Sequence, residues 1–233
     1  VTGASKGIGA AIAQKLAEHG YQVAVNYLHS KTDAENLSEK IGGLSVMADV
    51  ADYKQVTAMV NQIYQSFGNI DVLVNNAAIS VAGLFQDVPA KVADRLSHVN
   101  INGVLNCSKA VLPDMINRKS GKIINIASMW GITGASCEVH YSTSKAAVIG
   151  FTKALAKETG PSGIQVNCVS PGLIMTEMNA HLSSQDIAEI ISETPLNRIG
   201  TPQDIAEMVC FLASEKADFI TGQNFNVNGG LVI

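Results

Sequence analysis

Tyr141 and Lys145 stand four residues apart in Tyr141-Ser142-Thr143-Ser144-Lys145, within a helical pattern. Side chains at that spacing share one helix face, so the ammonium can sit close to the phenol. A neighbouring positive charge favours a phenolate and is expected to lower the tyrosine from its ordinary pKa of about 10. A phenol tuned towards neutrality can give a proton to a carbonyl oxygen or take one from an alcohol. Such pairs also occur on solvated helix faces, so the spacing needs support from elsewhere in the chain.

That support begins at Thr2-Gly3-Ala4-Ser5-Lys6-Gly7-Ile8-Gly9, which leads directly into a helical pattern. Its glycines permit positive φ and close backbone approach, and the helix start offers free N–H groups to an anion. The spacing is G-x-x-x-G-x-G, not the commoner G-x-G-x-x-G, and it predicts a dinucleotide phosphate loop. A carboxylate at the end of the next strand would hold a ribose 2′-hydroxyl and repel a 2′-phosphate. Here the strand ends Val25-Asn26-Tyr27-Leu28-His29-Ser30-Lys31, with no acid before Asp33. With Lys6 in the loop and Lys31 nearby, NADP(H) is the expected dinucleotide.

Positioning these groups requires strands that alternate with helices, and the apolar runs do alternate with helical patterns. Helices are predicted at 8–19, 32–40, 52–67, 89–117, 141–159 and 202–213, and strands at 22–27, 44–47, 72–74, 122–126, 165–169 and 224–227. A glycine turn normally follows a strand, so Val1 is expected to be the last residue of one more. About seven strands suit a doubly wound, mostly parallel sheet in a three-layer α-β-α sandwich of Rossmann type. No repeat or linker interrupts the chain, so residues 1–233 read as a single domain. The longest irregular stretch, 173–200, has the length of a functional lid.

Bulk properties narrow the function. Of 233 residues, 47% are hydrophobic and 15% charged, with a net charge of −4. That balance argues for a buried core and against a nucleic-acid or anionic-membrane surface. No apolar run is long enough for a bilayer and no secretory leader is visible. Cys107, Cys137, Cys168 and Cys210 are scattered, which predicts free thiols in a reducing cytoplasm. No ligand cluster for a metal is apparent.

Taken in order, these motifs resemble the short-chain dehydrogenase/reductase family over essentially the whole chain. Residues 2–9 match its nucleotide turn, and Asp49-Val50 match the acid placed on the adenine amino group. Asn75-Asn76-Ala77-Ala78 match its N-N-A-G motif, with Ala78 in place of the last glycine. Asn100, Ser128, Tyr141 and Lys145 match its catalytic tetrad, and Pro171-Gly172 with Thr176 match the segment at the nicotinamide end. The resemblance implies cofactor contacts at Gly3, Ser5, Lys6, Gly7, Ile8, Gly9, Asn26, Tyr27, Asp49, Val50, Asn76, Ala77, Ala78, Tyr141, Lys145, Pro171, Gly172, Ile174 and Thr176. It implies Tyr141 as general acid, Lys145 as the group that lowers its pKa and binds the ribose, and Ser128 as the anchor of the substrate carbonyl. It also implies that Asn100 holds a water linking Lys145 to solvent, and that the protein is a homotetramer.

Within the family the chain is similar to 3-oxoacyl-[acyl-carrier-protein] reductases, through Val25-Asn26-Tyr27, Lys119-Ser120-Gly121-Lys122, Pro195-Leu196-Asn197-Arg198 and Val227-Asn228-Gly229-Gly230. This implies a small or carrier-bound ketone as substrate, with Arg118, Lys119 and Lys122 available to an acidic acyl carrier protein. The segment between Ser128 and Tyr141 also resembles a subgroup that reduces a 5-aminopentanone on a lysine of elongation factor P. Trp130 and Glu138 within it suit a cationic substrate through cation–π and charge pairing. A non-catalytic NADP-binding protein is the remaining alternative, disfavoured because all four tetrad positions carry reactive types.

Overall fold

The β-branched runs form the strands. The computed structural model describes residues 1–179 and 182–233. It places β1 at Ala24–Tyr27, β2 at Leu44–Met47, β3 at Val72–Asn75, β4 at Gly121–Ile126, β5 at Ile164–Pro171 and β6 at Asn224–Val227. The helices are α1 (Gly7–Glu18), α2 (Lys31–Lys40), α3 (Tyr53–Phe67), α4 (Ala90–Ser97), α5 (Gly103–Arg118), α6 (Trp130–Thr133), α7 (Val139–Thr159), α8 (Ser184–Glu193) and α9 (Pro202–Ala213).

All the strand pairs are parallel, with β1 beside β2 and β3, β4, β5 and β6 adjacent in that order. Parallel strands need helices on both faces, and successive side chains go to opposite sides. Leu73 and Ile123 accordingly join Val56, Val60, Val111 and Leu155 of α3, α5 and α7 in one core. Val74 and Ile124 join Ile12, Leu16, Ile205 and Val209 of α1 and α9 in the other. The result is the expected layered α/β architecture.

The strand count differs from the expected seven, because six regular strands form among the described residues. Val1 and Thr2 bridge the two sheet segments: the Asn26 N–H donates to Val1 O at 3.1 Å and the Thr2 N–H to Val74 O at 3.0 Å. Two residues make too short a ladder to register as a strand.

Two further departures concern the site. The helix expected at 89–117 is broken by a π-helical turn, His98–Asn102, between α4 and α5. The 173–200 stretch contains α8, started by a reciprocal capping box between Ser183 and Asp186. The described residues include no helix long and apolar enough to cross a membrane.

Candidate active site

The glycine turn is held from behind by a set of short hydrogen bonds. Thr2 Oγ1 accepts the backbone N–H groups of Asn76 (2.9 Å) and Ala77 (3.0 Å), while Asn76 Nδ2 donates to the carbonyls of Thr2 and Gly3. Gly3 and Gly7 have φ of +59° and +56°. A Cβ on Gly9 would lie 2.5 Å from Asn76 Nδ2 and 2.6 Å from Gly3 O, so only glycine fits there. No side chain caps the first turn of α1. Its N–H groups are therefore left for an anion, as a dinucleotide pyrophosphate requires.

This turn forms one wall of a cavity of about 1150 Å³. Every residue assigned above to cofactor, substrate or catalysis lines it, except Asn100. A volume near the upper end for ligand sites has room for a dinucleotide with a second molecule. All these residues lie at the carboxyl ends of the strands, where open α/β sheets bind ligands.

Several of them are engaged differently from the expectation. Asn26 lines the cavity, yet its Oδ1 accepts the Gly3 N–H and its Nδ2 donates to the carbonyls of Val46 and Ala48. Its amide braces the turn and β2. Asp49 accepts the Ala51 N–H through Oδ1, and its Oδ2 lies 2.8 Å from Arg95 Nη1. Arg95 also lines the cavity, and no motif had marked it.

Lys6 is not the unopposed cation that the absence of an acid on β1 suggested. The fold brings Asp33 to 3.4 Å and Glu177 to 3.3 Å from its Nζ. Both carboxylates hold the lysine pKa above its ordinary value, Glu177 first. Glu177 belongs to the segment beyond β5, and a Cβ on Gly7 would come within 3.4 Å of its neighbour Thr176. The lid candidate thus touches the phosphate turn.

The reactive groups come from the end of β4 and from α7. Ser128 is buried beyond β4, and its Oγ accepts the Trp130 N–H at 3.2 Å. Ser128 acts on the Tyr141 phenol, lowering its pKa, and α7 carries both that phenol and Lys145. Lys145 is buried, donates to Ile126 O at 2.8 Å and has its Nζ 5.6 Å from the Tyr141 ring centre. Gly131 permits α6 to lie against α7, since a Cβ there would come 2.7 Å from the Lys145 carbonyl carbon.

The electrostatics correct the opening expectation. Burial pushes the Tyr141 phenol up to about 12, against a lowering by Ser128 and with a further push from the Glu138 charge. The same burial brings Lys145 down to about 8, opposed weakly by Cys168. Withdrawal from water penalises the charged form of each, and at this separation the lysine does not reverse that for the phenol. The resting phenol is therefore protonated.

Asn100 lies on the π-helical turn behind the cavity with no exposed surface. Its Oδ1 accepts the Ile79 N–H (2.9 Å), and its Nδ2 donates to Ile79 O (2.8 Å) and Ser144 Oγ (3.1 Å). Both amide protons and one lone pair of Oδ1 are thus engaged within the protein. Arg118 is tied to Asp71 and Asp114, and Lys122 to Asp218 and Ser214 O. Lys122 stands at the opposite end of β4 from Ser128, six residues or roughly 20 Å away at about 3.3 Å per residue. Within one chain these cations are not beside the cavity.

The comparisons agree with this geometry. Residues 3–232 match the family described as Enoyl-(Acyl carrier protein) reductase. The 3-oxoacyl-[acyl-carrier-protein] reductase of Staphylococcus aureus is 44% identical, over 99% of this chain and 96% of the relative. That of Synechocystis is 43% identical, over 100% and 96%, and that of Chlamydia muridarum 40%, over 99% and 95%. With a nucleotide turn, a Ser–Tyr–Lys constellation and these relatives in agreement, the chain belongs to the short-chain dehydrogenase/reductase family of oxidoreductases.

Proposed function

We propose that this protein is an NADPH-dependent reductase of 3-oxoacyl thioesters carried on acyl carrier protein, acting in the cytoplasm. The observation that carries the reading is the convergence of Ser128, Tyr141 and Lys145 with the phosphate turn in one cavity. The residue assignments, and residues 1–233 as one working unit, are part of the same proposal. Ser128 holds the ketone oxygen, and Tyr141 delivers its hydroxyl proton to that oxygen as the carbon is reduced. Lys145 lies where its charge stabilises the phenolate left behind. Bound NADPH supplies the hydride. The first-turn N–H groups of α1 suit its pyrophosphate, and Lys6, which lines the same cavity, is the cation assigned to a 2′-phosphate.

Homotetramer formation belongs to the reading as well, and the exposed Val92, Leu105 and Ile116 on α4 and α5 are available for such contacts. The test is consumption of NADPH and of NADH with an acetoacetyl thioester. A kcat/KM favouring NADPH is expected, and a preference for NADH would remove the cofactor assignment.

One observation favours a second substrate class. Trp130 and Glu138 line the cavity, and the Glu138 charge is felt at the Tyr141 phenol. A ketone bearing an amine, such as the 5-aminopentanone on a lysine of elongation factor P, would meet a carboxylate and an indole there. Faster turnover of that modified protein than of the thioester would favour this class. A Glu138→Gln variant unchanged on the amine substrate would dismiss it.

A further inference from the structure

Ser144 touches neither end of the cavity, yet it sits in the middle of the site's scaffold. It is buried within α7, one residue before Lys145 and three after Tyr141. Serine is a poor choice for a helix interior unless its hydroxyl has local work. Here the hydroxyl donates to Tyr141 O at 2.7 Å and accepts from Asn100 Nδ2 at 3.1 Å. Asn100 in turn grips both backbone groups of Ile79. Ile79 follows Ala77 and Ala78 on a loop that lines the same cavity as the phenol, and that loop is tied through Asn76 to the phosphate turn.

We propose that Ser144 is a positioning residue: its hydroxyl joins the Asn100 amide to the Tyr141 backbone and fixes the catalytic helix against the cofactor-side loop. The assignment rests on the reductase reading for its kinetic consequence. Its geometric basis is the chain Ile79–Asn100–Ser144–Tyr141, every link of which is a hydrogen bond at 3.1 Å or less. Asn100 has two amide protons, one for Ile79 O and one for Ser144. An alanine at 144 leaves the second proton buried without an acceptor, and Asn100 must turn or shift to find one. Either movement loosens Ile79 and releases the Tyr141 carbonyl.

The test compares Ser144→Ala and Ser144→Thr in the full chain. Threonine keeps a hydroxyl that can bond back to the preceding turn of a helix. For Ser144→Ala, kcat at saturating NADPH and ketone is expected to fall about tenfold or more, with the NADPH KM within about twofold. Deuterium exchange in the peptide containing Ile79 should accelerate, although Ile79 is remote in sequence. Ser144→Thr should restore kcat to within about threefold of the parent. Unchanged exchange at Ile79 in Ser144→Ala, or a threonine variant as slow as alanine, would overturn the proposal. If the alanine variant does not fold, Ser144→Cys, nearly isosteric and a weak hydrogen-bonder, carries the same expectations. A parent protein that reduces no ketone would sink the reductase reading, while the exchange measurement would still decide the link.

Discussion

The depressed lysine makes a quantitative prediction. Lys145 is brought down to about 8 by burial, so its charge is lost as pH rises through that value. The charged fraction is about 90% at pH 7 and about 1% at pH 10 for a group of that pKa. If the ammonium is needed to stabilise the phenolate, kcat/KM for NADPH in ketone reduction falls along a limb of slope −1 above pH 8. The loss between pH 7 and 10 is then about 90-fold. This parameter reports groups of the free enzyme. The strongly shifted groups beside Lys145 stay outside the window: Tyr141 and Cys168 are each pushed up to about 12. The assay is initial-rate NADPH oxidation at limiting NADPH and saturating ketone, buffered from pH 6 to 10. A Lys145→Arg control, whose guanidinium does not deprotonate in this range, should lose the limb whatever its absolute rate. A parent profile flat to pH 10, or a limb persisting unchanged in Lys145→Arg, would refute the reasoning.

Other perturbations follow from the same geometry. Tyr141→Phe removes the proton donor and should lower kcat by about 100-fold or more, with NADPH affinity within about threefold by fluorescence titration. Glu177→Gln removes the nearer of the two carboxylates facing Lys6; KM for NADPH should fall roughly two- to fivefold in low salt while that for NADH is unmoved. Equal changes for both cofactors would show that Lys6 does not meet the 2′-phosphate. Gly9→Ala places a methyl against Asn76 Nδ2 and Gly3 O, and should weaken NADPH binding at least about tenfold by calorimetry, since the turn must move to accept it.

How much of this was legible beforehand depended on the range of the interaction. The strands at 44–47 and 224–227 and the helix at 202–213 were readable to the residue, because alternation and the Thr201-Pro202 start are local signals. The π-helical turn at Asn100 was not, since no local residue pattern distinguishes it from the α-helix on either side. Helix α8 was missed although Ser183 and Asp186 form a capping box, because its apolar stripe of Ile187, Ile190 and Ile191 is short. The positions proposed as catalytic were marked by motifs. The partners of Lys6, Asn26 and Asp49 were not, because Glu177, Gly3 and Arg95 reach them only through the tertiary fold. Burial of the phenol escaped for the same reason: a four-residue spacing states who the neighbour is, not how much water is excluded.

That exclusion bears on the direction of the chemistry. A phenol acidified in the resting state would already have spent the lysine's attraction before any substrate arrived. In this site the phenol is neutral at rest and Lys145 is directed at Ile126 O, so the phenolate–ammonium attraction is absent from the ground state. It develops as the proton leaves for the ketone oxygen, in surroundings where charges interact more strongly than in water. An interaction that exists only as the reaction proceeds lowers the barrier, whereas one already present would not. Alcohol oxidation would need the phenolate first, and burial opposes it. The same desolvation that raises the tyrosine keeps its proton in place for a ketone oxygen, as the proposed reduction requires.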